Sequence, residues 1–221
     1  MTVILRHKLK YALAARESTM ILNDKEGYVK IDHKIRRDGK FPVGVMDVIS
    51  IDKTGENYRV LFDVKGRFIL RKIDAEESKF KMLKIKRKEV GPNKIPYIVT
   101  NDGRTIRYPD PNISVNDTIK YDVLNKKILD HIKFENDNVA YCLKGNNVGR
   151  VGIIQHTVVH DGGFDLVHIK DNKGKVFTTR LQNIMIIGRK KPMITLPKDS
   201  GIYMSAIEKI TEKEKETKKK Q

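Results

Sequence analysis

The sequence contains very little cysteine and no long apolar segment, and each shortage excludes a class of protein. Cys142 is the one cysteine among 221 residues, so the chain cannot form an internal disulfide, which is typical of a reducing compartment. No apolar run approaches the ~18 residues that a membrane-spanning helix requires. The sequence therefore predicts a protein that does not cross a bilayer.

Acidic residues are also scarce relative to basic ones. The chain has 45 Lys and Arg residues against 28 Asp and Glu residues, a formal net charge of +17. Hydrophobic residues make up 39% of the chain, enough to form a core and to argue against a wholly disordered basic protein. A folded protein with this charge needs a polyanionic partner. Nucleic acid is the leading candidate because cations on its backbone release counterions, while charge alone also allows an anionic membrane surface.

Catalytic and metal-binding motifs are missing as well. The segment DKTGE at 52–56 resembles the phosphorylated segment of P-type ATPases, but Glu56 breaks that pattern, so a turn is the simpler interpretation. GNNVGR at 145–150 lacks the lysine and hydroxyl residue of a phosphate-binding loop. The histidines and Cys142 show no metal-ligand spacing. We therefore expect no enzyme activity, no cofactor and no metal.

The first predicted module covers residues 1–51 and begins with a basic helix. Leu5, Leu9 and Leu13 form one helical stripe that would face a core, with basic residues on the open sides. A second short helix is predicted at Glu17–Asn23. A mitochondrial presequence is the alternative interpretation of the basic N-terminal helix.

A basic hairpin follows in the same module. GYVKIDHKI alternates apolar and basic residues and predicts a tight turn at Asp32 and His33, where His33 would need a left-handed backbone. FPVGVMDVISI is then predicted to return as a buried strand. A basic helix and a basic hairpin therefore share one small module.

The second predicted domain, residues 52–143, consists mainly of short strands and turns. Only Asp74–Lys79 is predicted to be helical, with Asp74 and Glu77 at the spacing of a capping box. TNDGRTIRYPDP sets two arginines and a tyrosine around an Asp-Gly turn and two prolines. This segment either holds cations on a rigid loop or is a solvated hairpin tip, and its candidate RNA contacts are Arg104, Arg107 and Tyr108.

The third predicted domain, residues 144–188, has three strand candidates separated by Gly-containing turns. VGRVGIIQHTVV, FDLVHIKD and KVFTTRLQNIMII fit a meander that closes into a small, roughly five-stranded barrel. A basic extension, 189–221, follows and begins with the candidate contacts Arg189, Lys190 and Lys191. Its last part, EKITEKEKETKKKQ, is a mixed-charge helix or a solvated tail.

Two glycines flank one arginine at the start of this barrel. Gly149 and Gly152 would let another backbone approach closely, and Arg150 between them could then form a bidentate contact with a phosphate. The structural alternative is that the glycines relieve crowding at a barrel corner. The residues alone leave both interpretations open.

The segment NVGRVGIIQHTVVHDGGFDLVHIKDNKG resembles a KOW motif, the barrel element of several ribosomal proteins and of NusG-type transcription factors. LRHKLKYAL, VKIDHKIRRDGKFPVGVMDVISIDKTGENYRVLFDVKGRF, TNDGRTIRYPDP and TRLQNIMIIG appear with it in an order that resembles the S4e family of small-subunit ribosomal proteins of archaea and eukaryotes. The resemblance extends to about Gly201. It implies an α+β, mainly β fold with an S4-like RNA-binding module, a central β domain, a KOW barrel related to Src-homology barrels, and a basic C-terminal tail.

The resemblance also implies a function and a set of contacts. The protein would be a non-catalytic component of the small, 40S-type ribosomal subunit that binds and organises rRNA beside neighbouring ribosomal proteins. It would be cytoplasmic, in ribosomes, or nucleolar during assembly in a eukaryote, with no membrane partner and no homo-oligomer. The rRNA contacts implied by position are Arg6, Lys8, Lys10, Lys30, Lys34, Arg36, Arg37, Gly149, Arg150, Gly152 and Arg180.

The sequence differs from the S4e pattern in two respects, and two other functions are possible for its motifs. Family members usually carry a longer basic segment before the first helix, and they tend to have glycine where His33 stands. An RNA-modifying enzyme with an S4-like module would need an aspartate in a GRLD-like segment, where this chain has Gln182. A NusG-type transcription factor would share the KOW barrel but would not explain the basic first module or TNDGRTIRYPDP.

Overall fold

The computed structural model describes residues 1–197, 200–208 and 210–211. Within these residues, fifteen strands form three antiparallel sheets of five strands each, and the helices are short. The mainly β, α+β class predicted from the sequence is confirmed. No helix in this part of the chain is long and apolar enough to span a membrane.

The first sheet has the strand order β2-β1-β3-β4-β5. Asp32 and His33 both have positive φ, +49° and +59°, as a two-residue hairpin turn of type I′ requires, so the predicted turn is confirmed. Met46, with φ +71°, interrupts the predicted strand FPVGVMDVISI and leaves only its last four residues in the sheet. The strands are β1 (Val29–Ile31), β2 (Lys34–Ile35), β3 (Val48–Ile51), β4 (Glu56–Phe62) and β5 (Phe68–Ile73).

Strand pairing carries this sheet past residue 51. β3 pairs with β4 along its whole length, from Val48 opposite Arg59 to Ile51 opposite Glu56. The predicted boundary between the first two modules therefore falls in the turn of a continuous hairpin. The division of the chain into domains stays a prediction.

The N-terminal segment differs from the predicted leucine-striped helix. Ile4–Lys8 forms a single π-helical turn, and Lys10, with φ +59°, ends it. Leu5 is fully buried, but the chain has changed direction before Leu13, which is 87% exposed, so the stripe is wrong. The second predicted helix is confirmed as α1 (Ala15–Leu22).

The second sheet has the order β10-β9-β6-β7-β8 and follows the short helix α2 (Ala75–Ser78). The helix is confirmed, but the capping box is wrong because Asp74 makes no side-chain capping bond. The Glu77 carboxylate instead accepts hydrogen bonds from the backbone N–H and the hydroxyl of Thr195, at 3.1 and 2.6 Å. The strands are β6 (Phe80–Val90), β7 (Pro96–Thr100), β8 (Thr105–Arg107), β9 (Thr118–Asp122) and β10 (Ile128–Ile132).

The third sheet has the order β14-β13-β12-β11-β15, which confirms the predicted five-stranded unit. Strand β11 precedes residue 144, where the barrel was predicted to begin, and pairs with both β12 and β15. A 3₁₀ turn at Leu181–Asn183 separates β14 from β15. The strands are β11 (Val139–Cys142), β12 (Val151–Val158), β13 (Leu166–Lys170), β14 (Val176–Arg180) and β15 (Ile184–Gly188).

One hydrophobic core joins the third sheet to the other two. Met46, which precedes β3, and Leu61 of the first sheet pack with the interior of the third sheet, as do Met82 and Ile132 of the second. The hydroxyl of Tyr141 accepts from the N–H of Phe62 at 2.7 Å and contacts its carbonyl at 3.2 Å. The three sheets are therefore fixed relative to one another by buried contacts.

The start of the C-terminal extension packs onto the same body. Ile194 is buried in the shared core, and the carbonyl of Gly201 accepts from the N–H of Val151 at 3.0 Å. Most of the segment EKITEKEKETKKKQ lies outside the described residues.

Candidate nucleic-acid interface

A large cleft lies where the three sheets meet. Its volume is about 1210 Å³, and residues from the β1–β2 hairpin, from β6, from the β7–β8 turn and from the third sheet line it. Nine lysine and arginine side chains and four aspartates contribute to its walls. The cations are Lys34, Arg36, Lys81, Lys84, Lys86, Arg87, Arg104, Lys144 and Arg180.

Three of the four aspartates have cationic partners within the protein. The ammonium group of Lys81, with 1% of its side chain exposed, contacts the carboxylates of Asp32 at 3.0 Å, Asp47, and Asp102 at 3.4 Å. Arg104 contacts Asp32 and Asp102, each at 2.6 Å. Burial disfavours the charge on Lys81, but the three carboxylates outweigh it and raise the pKa of its ammonium group. Lys81 stays charged and holds the first and second sheets together.

The remaining cleft charge is strongly positive. Lys81 and Arg104 offset two of the three charges on Asp32, Asp47 and Asp102. The nine cations and four aspartates of the lining leave an excess of five positive charges. Lys34, Lys86, Lys144 and Arg180 are exposed to solvent in this cleft. A concave wall with this excess of cations attracts a polyanion such as a nucleic-acid backbone.

Apart from Lys81, Lys84 is the one cation of the cleft lining whose side chain is buried. Its ammonium group donates a hydrogen bond to the carbonyl of Leu181 at 2.8 Å, which links β6 to the third sheet. Burial lowers its pKa to about 8. An anion bound in the cleft would favour the charged form of this group.

The structure brings four of the sequence-predicted contacts together in the cleft: Lys34, Arg36, Arg104 and Arg180. The guanidinium of Arg36 stacks on Phe41 at 4.3 Å, and that of Arg180 stacks on Phe164 at 4.0 Å. Sequence reasoning missed Lys84, Lys86, Arg87 and Lys144. The alternating lysines of β6 carried a signal for two of them, since residues 84 and 86 point to the same face of a strand.

The other predicted contacts of the first module lie outside the cleft lining. Arg6 donates to the carbonyl of Leu13 at 3.2 Å, and Arg37 to that of Lys25 at 3.5 Å. Lys30 pairs with Asp52 at 2.5 Å. Lys8 and Lys10 are exposed on the N-terminal turn. RNA contact at these positions stays a prediction.

The remaining predicted contacts form two further exposed groups. Arg107 ends β8, and Tyr108, which follows it with φ +51°, is 70% exposed. Arg189, Lys190 and Lys191 are exposed directly after β15. None of these five residues lines the cleft.

The structure shows what lies beside the two glycines that flank Arg150. A Cβ at Gly149 would lie 2.2 Å from the carbonyl oxygen of Asp63, and one at Gly152 would lie 2.5 Å from that of Lys170. The space beside both glycines is therefore filled by the protein's own backbone, which supports the crowding alternative, and RNA contact at Gly149 and Gly152 stays a prediction.

The side chain of Arg150 is also engaged inside the protein. It donates to the side-chain oxygen of Asn147 at 3.1 Å, stacks on Phe177 at 3.7 Å and lies 3.8 Å from the carboxylate of Asp171. Only 12% of the side chain is exposed. An RNA contact of Arg150 stays a prediction, and it would have to compete with these partners.

Three small antiparallel sheets around a cation-lined cleft define a basic, mainly β protein with the architecture of a polyanion-binding module. Two family models match the chain, "Ribosomal family S4e" at residues 54–128 and "40S ribosomal protein S4 C-terminus" at residues 171–219. The chain belongs to the S4e family of ribosomal proteins. It is therefore a member of a structural family and not an enzyme.

Named relatives and a solved structure agree with this assignment. The small ribosomal subunit protein eS4 of Tetrahymena thermophila is 51% identical over 209 residues, which cover 94% of this chain and 81% of that protein. The eS4 protein of Dictyostelium discoideum is 49% identical over 207 residues, covering 93% and 77%. The crystal structure of the 30S ribosomal protein S4e from Thermoplasma acidophilum superposes with a TM-score of 0.72 at 36% identity, covering 85% and 93%.

Proposed function

We propose that this protein is a structural component of the small ribosomal subunit and that it binds rRNA through the cleft between its three sheets. The names of the eS4 relatives support the ribosomal role. The observation that carries the proposed contact surface is the cleft itself, whose lining has nine cations against four aspartates, an excess of five positive charges.

The protein would act by neutralising RNA phosphates with cations whose positions are fixed by the fold. The cations come from three sheets that share one core, so the phosphates they bind are held at set distances from one another. Phosphate contacts of this kind position a protein on its RNA, while the shape of a folded RNA supplies most of the selectivity in duplex regions. The protein would act by holding rRNA segments in place.

The partners and the location follow from the same role. The protein would function in cytoplasmic ribosomes, bound to small-subunit rRNA and beside other proteins of that subunit. The absence of a homo-oligomer and a nucleolar stage of assembly in a eukaryote both stay predictions.

The test is the salt dependence of RNA affinity for the full chain, with small-subunit rRNA as the ligand. If about six to ten phosphates are neutralised, the logarithm of the affinity falls with the logarithm of salt concentration with a slope of about 4 to 9. Lys86→Glu and Lys144→Glu should each weaken binding and lower this slope. Lys133→Glu, the same charge change at an exposed lysine outside the cleft lining, is the matched control.

Two results would contradict the proposal. A flat salt response would exclude phosphate neutralisation as the source of affinity. An equal effect of Lys133→Glu and the two cleft variants would show that net charge, and not the cleft, is responsible.

A further inference from the structure

The outer face of the third sheet carries two stacked pairs of planar side chains. His156 and His168 lie opposite each other on β12 and β13, with ring centroids 4.3 Å apart and planes inclined by 15°. The guanidinium of Arg180 lies 4.0 Å from the ring centroid of Phe164. Three of these planar groups lie on neighbouring strands of the third sheet, and the fourth, Phe164, lies in the loop before β13.

Strand register shows that both pairs lie on the same face. On β13, Val167 and Ile169 are buried while Leu166 and His168 are partly exposed, so the latter point outward. Leu166 pairs with Arg180 and His168 pairs with Thr178, and these β14 residues are exposed. The two stacked pairs are therefore separated by two residues along the strands, which is a distance of ~6.6 Å.

The groups on this face are held in position. Thr178 Oγ1 lies 3.1 Å from His168 Nδ1, which fixes the orientation of that imidazole. A register shift in β12 between Ile154 and His156 re-aims His156 so that it meets His168. The two stacked pairs are therefore already in place in the protein without a ligand.

The face continues into the cleft. Gly163, Phe164 and Arg180 all contribute to the cleft lining, and Phe164 is 53% exposed although it is fully apolar. Arg180 covers part of this ring, and the rest is exposed at the edge of the cation-lined cleft, where nucleobases can stack on aromatic rings without regard to sequence.

We propose that this face, defined as Phe164, Arg180, His156 and His168, binds two unpaired nucleobases of a single-stranded RNA segment whose phosphates lie in the cleft. The inference rests on the proposed function, since it assigns the RNA class bound at one edge of the same site. The separation of the two pairs is about twice the ~3.4 Å rise of a stacked double helix, so it fits bases that are splayed apart.

The test compares two RNA probes on the full chain. One is a 12-nucleotide single strand labelled with fluorescein, and the other is a 12-base-pair duplex of mixed sequence with the same label. Phe164→Ala should weaken binding of the single strand about tenfold, the typical loss when one stacked base loses its aromatic partner. Binding of the duplex should change less than twofold, because paired bases do not reach the ring.

Matched variants separate stacking from other effects. Phe164→Tyr keeps an aromatic face and should retain the affinity for the single strand. Phe164→Leu keeps an apolar side chain and should lose as much affinity as Phe164→Ala. Leu129→Ala, at an exposed apolar residue of β10, should leave both affinities unchanged.

A spectroscopic measurement tests stacking directly. A single strand with one 2-aminopurine should change its fluorescence on binding to the wild-type chain, and Phe164→Ala together with His168→Ala should abolish that change. Equal affinities of the wild type and Phe164→Ala for both probes would overturn the proposal and make a protein-binding role for this face the better alternative.

Failure of this inference is distinguishable from failure of the proposed function. Lys144→Glu should weaken the binding of both probes if the cleft binds phosphates. If Lys144→Glu weakens both and Phe164→Ala weakens neither, only the stacking platform is overturned. If Lys144→Glu weakens neither, the proposed cleft contact itself fails.

Discussion

Arg104 and Asp32 form an ion pair of 2.6 Å that joins the β7–β8 turn of the second sheet to the β1–β2 turn of the first. The same carboxylate contacts the buried ammonium of Lys81 at 3.0 Å. Arg104 therefore has a structural partner although its sequence context predicted an RNA contact. The pair closes one wall of the cleft and fixes the spacing of the cations on either side of it.

Loss of Lys81 should destabilise the fold strongly. Lys81→Ala would leave the carboxylates of Asp32, Asp47 and Asp102 close together without their central cation. Removing one partner of a buried ionic cluster typically costs about 3–5 kcal/mol. The free energy of unfolding in urea is the measurement, and Lys86→Ala, at an exposed lysine farther along β6, should change it by less than ~0.5 kcal/mol. Similar values for the two variants would show that the cluster is not needed for stability.

Two glycines with the same backbone conformation should respond differently to alanine. Gly149 and Gly103 have φ of +79° and +82°, but a Cβ at Gly149 would lie 2.2 Å from the carbonyl oxygen of Asp63, while nothing lies within 4 Å at Gly103. Gly103→Ala should lower the free energy of unfolding by about 1–2 kcal/mol, because alanine disfavours the left-handed backbone conformation. Gly149→Ala adds overpacking and should cost at least ~1–3 kcal/mol more in thermal or urea unfolding. Equal losses would mean that the close approach is absent.

Removal of Arg150 should reduce stability more than RNA affinity. Asp171 has 1% of its side chain exposed, and its carboxylate lies 3.8 Å from Arg150. Arg150→Met would leave that charge buried without this cationic contact and should cost about 3 kcal/mol. Asp171→Asn in the same chain should restore part of the loss, and Lys170→Met is the exposed control.

The same variant tests the contact predicted from the sequence. The RNA affinity of folded Arg150→Met should stay within about twofold of the wild-type value, because the side chain is committed to protein partners. A large loss of affinity with unchanged stability would support the RNA contact and contradict the structural role.

The buried cation Lys84 should make RNA affinity depend on pH. Burial lowers its pKa to about 8, and bound phosphate favours the charged ammonium. Its contribution to binding should therefore be present below pH 8 and should be lost as the pH rises through 8. Lys84→Arg keeps a charge at this position and should show a flatter affinity between pH 7 and 9. Identical pH profiles for the wild type and Lys84→Arg would place bound phosphate away from this side chain.

Local features of the fold could be predicted from the sequence. The turn at Asp32 and His33 was predictable because a two-residue turn between alternating residues demands positive φ at both positions. The strands of the third sheet were predictable because inward and outward residues alternate along β13 and β14. These signals depend only on neighbouring residues.

The site was less predictable because residues far away in the sequence determine which charged side chains are paired within the protein. Nothing local to Arg104 indicates Asp32, which is 72 residues away in the chain, and Glu77 fits a capping box until Thr195 is brought to it from 118 residues away. Leu13 completes a leucine stripe only if the helix continues past Lys10, which it does not. Sequence patterns therefore found the basic surface, but folding determined which cations remain available in the cleft.

The most direct test of the central claim is sedimentation of a cell lysate through a high-salt sucrose gradient, with detection of this chain and of small-subunit rRNA in each fraction. We predict that the chain sediments with the small subunit after the salt wash, and that a chain with both Lys86→Glu and Lys144→Glu is shifted toward the top of the gradient. Migration of the wild-type chain as free protein would contradict the account.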